Sequence, residues 1–463
     1  MLTRRFFLEG ALGLSAFSCS KALGGDALAD SGELLRFGVL SDIHLHSPGD
    51  EDTFLKALTY FRDRKVDAVL LAGDIADTGL IAQLKRCADT WFKVFPDDRA
   101  PDGRKVERLF VYGNHCVSIG KGPDSLNYGD NRMTAWRELF HEDWTPIWRK
   151  TVKGIPVIGA HWSTDAAGIP IEAYMKAHAK ELDPSLPFVY TQHQHPKDTC
   201  FGAWAWGHDD GRATRALSPF PNAIAFSGHS HYTLTDERTV WQGGFTSINT
   251  SSLRYSSTDY ALRENIRGNS HGFRGEERAH RMPCVDTNDG RQGMVVSLRR
   301  DHLVIERREF VYGQSLGDNW VVPLPTAESR PFAYAARAKK RSAPAFEAGA
   351  SVSVAETPAK DAKDFRHVVL TFPAAKEVNG CRVNEYEVTA VLVEDDVELV
   401  ALQRRMASPD YHLPRTKLVG EVKFTFAAED FPYRKGHYRF EVRPLECFGK
   451  KGEKIVSPVT LVG

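Results

Sequence analysis

Histidine residues follow short apolar segments at several points of the 463-residue sequence. In AFSGHSHY, residues 225–232, an apolar run ends at Ser-Gly, and His229 and His231 follow with one residue between them. In FVYTQHQH, His193 and His195 have the same spacing. Imidazole nitrogens bind borderline divalent metals, and they transfer protons near neutral pH. Metal binding and acid–base catalysis are therefore the two chemistries that these segments indicate.

Three earlier apolar segments end in carboxylate, imidazole and amide groups. They are LSDIH with Asp42 and His44, AGDIAD with Asp74 and Asp77, and YGNH with Asn114 and His115. Together with the later histidines, these groups are too many for one tetrahedral ion and enough for two ions that share a carboxylate. Two ions about 3.5–4 Å apart can clamp the attacking and the leaving oxygen of a phosphoryl transfer. The set therefore predicts a dinuclear metal site for phosphate chemistry.

The segments that carry these residues have the pattern of buried strands separated by helices. The predicted strands are RFGVLSDIH, DAVLLAGDIAD, RLFVYGNHC, IPVIGAHW, FVYTQHQH and AIAFSGHSH. Between the first two, EDTFLKALTYFRDRK places Phe54, Leu58 and Phe61 at helical spacing. Strand, helix and strand in series favour an α/β layered domain with largely parallel strands. Parallel strands end at one edge of their sheet, so we expect the polar residues to meet there.

The ordered motifs resemble those of the calcineurin-like metallophosphoesterase superfamily. D-x-H, G-D-x-x-D, G-N-H, a later histidine and G-H-x-H each follow an apolar run, and the resemblance covers about residues 35–325. It implies a hydrolase in which a hydroxide between two metal ions (Mn, Fe or Zn) attacks a phosphoester. Phosphomonoester, phosphodiester and pyrophosphate cleavage all remain open.

The resemblance also implies a role for each motif residue. The first metal would be held by Asp42, His44 and His231, the second by Asn114, His193 and His229, and Asp74 would bridge them. His115 would contact the phosphate and assist the leaving group, and Asp77 would orient a metal ligand. In an extended segment, residues two apart face the same side, so His229 and His231 would each reach a different ion.

The sequence departs from the family pattern at two positions. An acidic residue usually follows G-N-H and orients the catalytic histidine, whereas Cys116 follows here. Either another acidic group such as Asp77 or Asp42 substitutes for it, or the rate is modest. The fourth motif usually supplies one clear histidine, and we favour His193 over His195 because it is nearer the end of the apolar run. The first departure keeps an alternative open: a surface binding or adhesion protein that retains the metal-site fold but is catalytically impaired.

The N-terminal segment TRRFFLEGALGLSAFS resembles a bacterial twin-arginine export signal, with a small-residue cleavage site at Ala27–Ala29. We predict a signal peptide over residues 1–29, recognition by the twin-arginine export machinery, and a periplasmic or extracellular protein without a stable membrane span after processing. Acidic and basic residues number 60 each, which disfavours nucleic acid as a stable partner. A small-molecule phosphoester is the expected substrate.

A second, all-β domain is predicted after a basic linker. Residues 330–344 lack a clear period and separate a metallophosphoesterase domain at 30–329 from a domain at 345–463. In the latter, EYEVTAVLV, VKFTFAAEDF and HYRFEVRPL alternate apolar and polar residues, which is typical of a fibronectin-III or immunoglobulin-like sandwich. Cys381 and Cys447 would either pair after export or remain buried thiols. We expect this domain to serve as a spacer or docking module.

Overall fold

The computed structural model describes residues 32–163, 170–202, 205–257, 290–326, 329–357, 367–395, 397–427, 430–433 and 435–463. Within these residues, an α/β domain is followed by an all-β domain, which is the fold class that the sequence predicts. The predicted signal peptide lies outside the described residues. Within the described ranges, no helix has both the length and the apolar character needed to cross a membrane.

The first domain contains two mixed β-sheets. Its described strands are β1 (Glu33–Leu40), β2 (Ala68–Ala72), β3 (Glu107–Val111), β4 (Ile147–Val152), β5 (Ile155–Ala160), β6 (Phe188–Thr191), β7 (Ala223–Ser227), β8 (Val240–Gln242), β9 (Thr246–Asn249), β10 (Gln292–Arg299), β11 (His302–Glu309), β12 (Gln314–Ser315) and β13 (Trp320–Pro323). The first sheet has the order β12-β11-β10-β1-β2-β3, with β13 beside β11, and the second has the order β4-β5-β6-β7-β9-β8. In the first sheet, the parallel strands β1, β2 and β3 form one side and antiparallel strands form the other. In the second sheet, the central strands are parallel, and an antiparallel strand lies at each edge.

The six strands predicted from the motif segments all form, but they belong to two sheets and not to one. β1, β2 and β3 lie in the first sheet, whereas β5, β6 and β7 lie in the second. The two sheets bury a shared apolar core, in which the rings of Phe37 and Phe226 meet edge to face with centroids 5.4 Å apart. The polar residues that follow these strands therefore come from two facing sheets.

Helices cover the outer faces of both sheets. The described helices of this domain are α1 (Pro48–Asp63), α2 (Ile81–Val94), α3 (Asn114–Val117), α4 (Asn131–Phe140), α5 (Ile171–His178) and α6 (Arg212–Leu217), with 3-10 turns at Pro96–Asp98, Ala179–Glu181 and Glu237–Thr239. Residues of α1, α2 and α4 share a core with the first sheet, and residues of α5 and α6 share one with the second. In β2, Leu70 faces the sheet interface and Leu71 faces the helices. Four layers thus hold the strand ends in place.

The second domain is a β-sandwich joined to the first by a short helix. Its described elements are α7 (Tyr334–Lys339), β14 (Ser353–Thr357), β15 (His367–Pro373), β16 (Glu385–Glu394), β17 (Val397–Ala407), a 3-10 turn (Arg415–Lys417), β18 (Glu421–Ala427), β19 (Gly436–Leu445), β20 (Ile455–Val456) and β21 (Thr460–Val462). Two antiparallel sheets, β14-β15-β18 and β17-β16-β19-β20 with β21 beside β19, enclose one core. The predicted linker region includes α7, where Arg337 forms an ion pair with Glu237. Cys381 and Cys447 are both free thiols.

Candidate metal centre and active site

The structure brings the predicted ligands together at the carboxyl ends of both sheets. Asp42 and His44 follow β1, Asp74 follows β2, Asn114 begins α3 after β3, His193 follows β6, and His229 and His231 follow β7. Three groups of side chains each have ligand atoms within 4.8 Å of one another: the first set of Asp42, His44 and His231, the second set of Asp74, His193 and His229, and a third group of His44, Asp74 and His115. The first set has the predicted members, and the second joins His193 and His229 to Asp74, the predicted bridge; the metal-binding role of each residue stays a prediction.

The spacing within the first set suits one cation. The Nε2 atom of His231 lies 3.0 Å from Oδ1 of Asp42 and 3.3 Å from Nε2 of His44. The distance from Nε2 of His44 to Oδ1 of Asp42 is 3.7 Å. Two ligands of a tetrahedral ion, each bound at about 2.0–2.2 Å, lie about 3.3–3.6 Å apart. The three side chains therefore already have nearly the mutual distances that one ion requires.

Asp74 faces both sets with one oxygen. Its Oδ2 atom lies 3.0 Å from Nε2 of His193 and 3.8 Å from Nε2 of His44. The Nδ1 atom of His229 lies 3.1 Å from Nε2 of His193, which completes the second set. The other oxygen of Asp74 accepts a hydrogen bond of 2.8 Å from the backbone N–H of His115. Asp74 thus lies between the two sets, and its bridging role stays a prediction.

The chemistry of the donors fits a pair of divalent ions. The side-chain oxygen of Asn114 is buried and accepts no hydrogen bond from the described residues. Buried polar atoms nearly always have a partner, so an oxygen without a donor at this position suits a cation. Imidazole nitrogens with carboxylate and amide oxygens, without a thiolate, are ligands for Mn, Fe and Zn alike.

The electrostatics of the cluster also favour added positive charge. Burial alone would raise the pKa of Asp74, but the neighbouring His193 and His44 lower it to about 2. Burial alone would lower the pKa of His193, but Asp74 and Asp42 raise it to about 9. Without metal, these buried carboxylates thus retain protons on the imidazoles beside them. Metal ions would take over this role, because bound imidazole must be neutral.

The structure separates His193 from His195. The Nδ1 atom of His193 donates to the carbonyl oxygen of Ala72 at 2.7 Å, which leaves its Nε2 facing Asp74. His195 uses both ring nitrogens in hydrogen bonds to hydroxyls, of 2.8 Å to Ser227 and 2.7 Å to Ser230. Burial lowers the pKa of His195 well below its ordinary value. The geometry therefore favours His193, the residue that the sequence analysis prefers.

The backbone at this centre is strained. The φ angles lie in the left-handed region at Asp42 (50°), His44 (47°), Asp74 (47°), His229 (70°) and His231 (59°). The extended segment expected at His229 and His231 is therefore absent, because β7 ends at Ser227. Non-glycine residues in such conformations cost about 1–3 kcal/mol each and cluster at functional sites.

His115 lies beside the two sets and is open to solvent. Its side chain is 32% exposed, whereas that of His44 is 1% exposed, and their rings meet edge to face with centroids 4.5 Å apart. The Nδ1 atom of His115 donates to the backbone carbonyl of Asp77 at 2.6 Å. The orienting partner is therefore Asp77, through its main chain. Cys116 is buried in the apolar core, and burial raises the pKa of its thiol to about 12.

Sequence analysis missed several residues that support the centre. Arg254 lies 2.5 Å from Oδ1 of Asp77 and donates to the carbonyl oxygen of His44 at 3.2 Å. The same Asp77 oxygen lies 3.2 Å from Nδ1 of His44, and the orienting role of Asp77 stays a prediction. The ring of Trp206 stacks on His229, with centroids 4.4 Å apart. Arg254 follows β9, another parallel strand, so its position at a strand end was the available signal.

Comparisons with known proteins place this domain in context. Residues 35–233 match the family model of the calcineurin-like phosphoesterases. A search of curated proteins found no match. Similar solved structures include a dimetal phosphatase from Danio rerio, at 12% identity over 63% of this chain and 100% of that chain, with a TM-score of 0.35. They also include a purple acid phosphatase from yellow lupin (Lupinus luteus) seeds, at 13% identity over 63% and 54%, with a TM-score of 0.39. The matched residues contain every predicted ligand and His115.

Replacing each of the two competing histidines by glutamine should separate their roles. We expect His193→Gln to lose about one of two bound ions per chain, because it removes a predicted ligand. His195→Gln should keep both ions, since that side chain bonds to Ser227 and Ser230. Elemental analysis of the metal-loaded, purified variants measures the difference. Equal metal loss in both variants, or loss only in His195→Gln, would contradict the assignment.

Gly73 tests the close packing around His193. It has a φ of +100°, and an added Cβ would lie 2.2 Å from Nδ1 of His193. Gly73→Ala should therefore lower both the metal content and the free energy of unfolding. The matched control is Gly103→Ala, with a φ of +82° and open space around the new Cβ, which should cost only the backbone strain of about 1–2 kcal/mol. Equal effects in both variants, measured by denaturant unfolding and elemental analysis, would argue against a role for this contact.

Proposed function

We propose that the first domain, whose residues 35–233 match the calcineurin-like phosphoesterase model, hydrolyses a phosphoester with two divalent metal ions. The observation that carries the proposal is the position of His115, a solvent-open imidazole next to a buried cluster of imidazoles and carboxylates. The cluster suits the binding of cations and phosphate oxygens, and the open imidazole suits proton transfer. The same strand ends thus supply the groups for metal and phosphate binding and the group for proton transfer.

The metal ligands would be Asp42, His44 and His231 for one ion, Asn114, His193 and His229 for the other, and Asp74 for both. When bound, such a pair supplies Lewis acidity and lowers the pKa of bound water. Mn, Fe and Zn all suit these donors. The protein's own contribution is to fix one imidazole nitrogen of each ligand toward the carboxylates, as the bond from His193 to the carbonyl of Ala72 does.

His115 would protonate the leaving oxygen. Its Nδ1 is engaged by the carbonyl oxygen of Asp77, which leaves Nε2 for the substrate. Asp77 also contacts His44 through its carboxylate, and Arg254 holds that carboxylate in place. Asp77 thus joins the ligand His44 to the proposed acid His115, so that one residue sets the orientation of both. General acid assistance of this kind contributes about 10²–10⁴-fold to the rate.

A cavity of about 490 Å³ next to His193 would take the part of the substrate that does not react. Trp162, Gln192, Asp209 and Arg212 are among the residues that line it. Its volume lies within the range of about 300–1,000 Å³ for small-molecule sites. A mono- or diester of a small polar molecule is the substrate class that we propose.

The variant His115→Asn tests the proposed acid. We expect the turnover of an alkyl phosphoester to fall by about 10²–10⁴-fold, because an alkoxide needs a proton to leave. Turnover of a nitrophenyl ester should fall much less, since that leaving group is stable as an anion. Both rates would be measured on metal-loaded protein, and elemental analysis should find unchanged metal. Cys116→Ala is the control, because the buried thiol lies in the core and should leave both rates nearly intact.

Two outcomes would contradict different parts of this proposal, namely the role of His115 and the hydrolysis itself. An equal loss of turnover on both substrates would show that His115 positions the substrate and donates no proton. Bound metal in the unaltered protein without turnover on phosphomonoesters, diesters and pyrophosphates would favour the alternative of a binding or adhesion protein.

We also propose export by the twin-arginine machinery, on the strength of the TRRFFL segment. Replacing Arg4 and Arg5 by lysine should retain the full chain in the cytoplasm of a bacterial host, because that pathway requires the arginine pair. Cell fractionation followed by immunoblotting measures the distribution. The control replaces Arg62 and Arg64 by lysine, and equal export of both double variants would exclude this route.

A further inference from the structure

We propose that a cavity between the two domains binds a small dianionic oxyanion such as inorganic phosphate. The cavity has a volume of about 220 Å³ and is lined by residues of both domains, including Arg307 and Trp320 from the first and Arg382 and Tyr411 from the second. None of its lining residues belongs to the predicted metal centre. The inference does not rest on the proposed hydrolysis.

Two buried guanidinium groups in this cavity lack a carboxylate partner. Arg307 donates to the carbonyl oxygens of Leu234 at 2.9 Å and Asp318 at 2.7 Å, and it is 6% exposed. Arg382 donates to the carbonyl oxygens of Asp410 at 3.0 Å and Leu413 at 2.8 Å. Within the described part of the chain, neither guanidinium has a carboxylate oxygen within 4.0 Å. Both guanidinium groups could therefore form a direct ion pair with a bound anion.

Three buried donors on lining residues have no acceptor among the described residues. They are Nε of Arg307, Nη1 of Arg382 and the hydroxyl of Tyr411. A buried donor without an acceptor is costly, and the cost is larger for a charged group. A bound oxyanion would supply acceptors for donors from three separate places in the chain.

The other two arginines of the cavity already have partners. Arg341 pairs with Glu237 at 2.8 Å and with Glu446 at 3.0 Å. Arg415 pairs with Glu377 at 3.2 Å and with Asp318 at 3.7 Å. Arg307 and Arg382 are thus the two guanidinium groups of the cavity that a bound oxyanion would pair with directly. Burial, and then the nearby charge of Arg382, lower the pKa of Arg307 to about 9, as expected where an anion is needed.

The shape of the cavity favours a tetrahedral oxyanion. Its volume is below the range of about 300–1,000 Å³ that is usual for drug-sized ligands. Phosphate and sulfate offer four oxygens in different directions, so they can accept from two guanidinium groups and a phenol at once. A carboxylate carries one charge and presents its two oxygens in one plane. Phosphate and sulfate are therefore expected to bind, and acetate is not.

The test is the titration of the full-length protein with inorganic phosphate. Metal-loaded and chelator-treated protein are compared by calorimetry, because chelation removes phosphate binding at the metal centre. We expect one phosphate site per chain to persist after chelation. The affinity should fall by about tenfold or more in both Arg307→Gln and Arg382→Gln, since each removes a charge-assisted hydrogen bond. The control is Arg404→Gln, whose guanidinium donates to the carbonyl of Gln403 on an exposed face.

A second readout separates ligand binding from a purely structural role. Phosphate should raise the thermal midpoint of the chelated wild-type protein, and potassium chloride of equal ionic strength should not. This shift should vanish in Arg307→Gln and Arg382→Gln and persist in Arg404→Gln.

No phosphate binding to the chelated wild-type protein, or unchanged affinity in the two variants, would overturn the proposal. Competition by acetate as strong as that by sulfate would overturn the preference for a dianion. If one variant fails to fold, the other variant and the wild-type titration still decide.

Discussion

Two buried carboxylates of the first sheet, Asp42 and Asp74, connect its strand ends to those of the second sheet. The Oδ2 atom of Asp42 accepts a hydrogen bond of 2.9 Å from the backbone N–H of His229, which follows β7. The Oδ2 atom of Asp74 lies 3.0 Å from Nε2 of His193, which follows β6. Each carboxylate therefore has partners beyond its own sheet. The rest of the centre depends on these contacts, because they bring residues of two separate sheets together, as the predicted metal centre requires.

The strained backbone around these carboxylates lowers the stability of the folded state, and packing in the surrounding layers offsets that cost. Left-handed conformations at non-glycine residues persist only where neighbouring structure enforces them. Here the strand ends are fixed on one side by the core between the sheets and on the outer sides by helices. Asp42, Asp74 and His229 adopt these conformations two residues after their strands end, so each loop turns sharply next to the sheet. The apolar layers thus keep the strand ends rigid, and the loops that follow them hold the predicted ligands in place.

The motif residues and the six strands that carry them were predictable from local sequence. In each segment, an apolar run is followed by a turn and a polar residue. The partition of those strands into two sheets was not, since pairing depends on contacts between distant segments. The choice between His193 and His195 was open for the same reason. Their local sequences are alike, and the hydroxyls of Ser227 and Ser230 that engage His195 come from another part of the chain. The contact from His115 to Asp77 uses a backbone carbonyl. Every residue has such a carbonyl, so the residue type could not predict this contact.

The loop that carries His231 continues directly into the interface between the domains. Two residues later, the hydroxyl of Thr233 donates to the side-chain oxygen of Gln292 at 3.0 Å. The amide group of Gln292 donates in turn to the carbonyl oxygen of His412 in the second domain at 2.9 Å. Arg307 donates to the carbonyl oxygen of Leu234, which is three residues beyond His231. The contacts of the β-sandwich thus extend to the segment that leads out of the predicted metal centre. An anion between the domains would act on this same segment, since Arg307 contacts both the cavity and the loop.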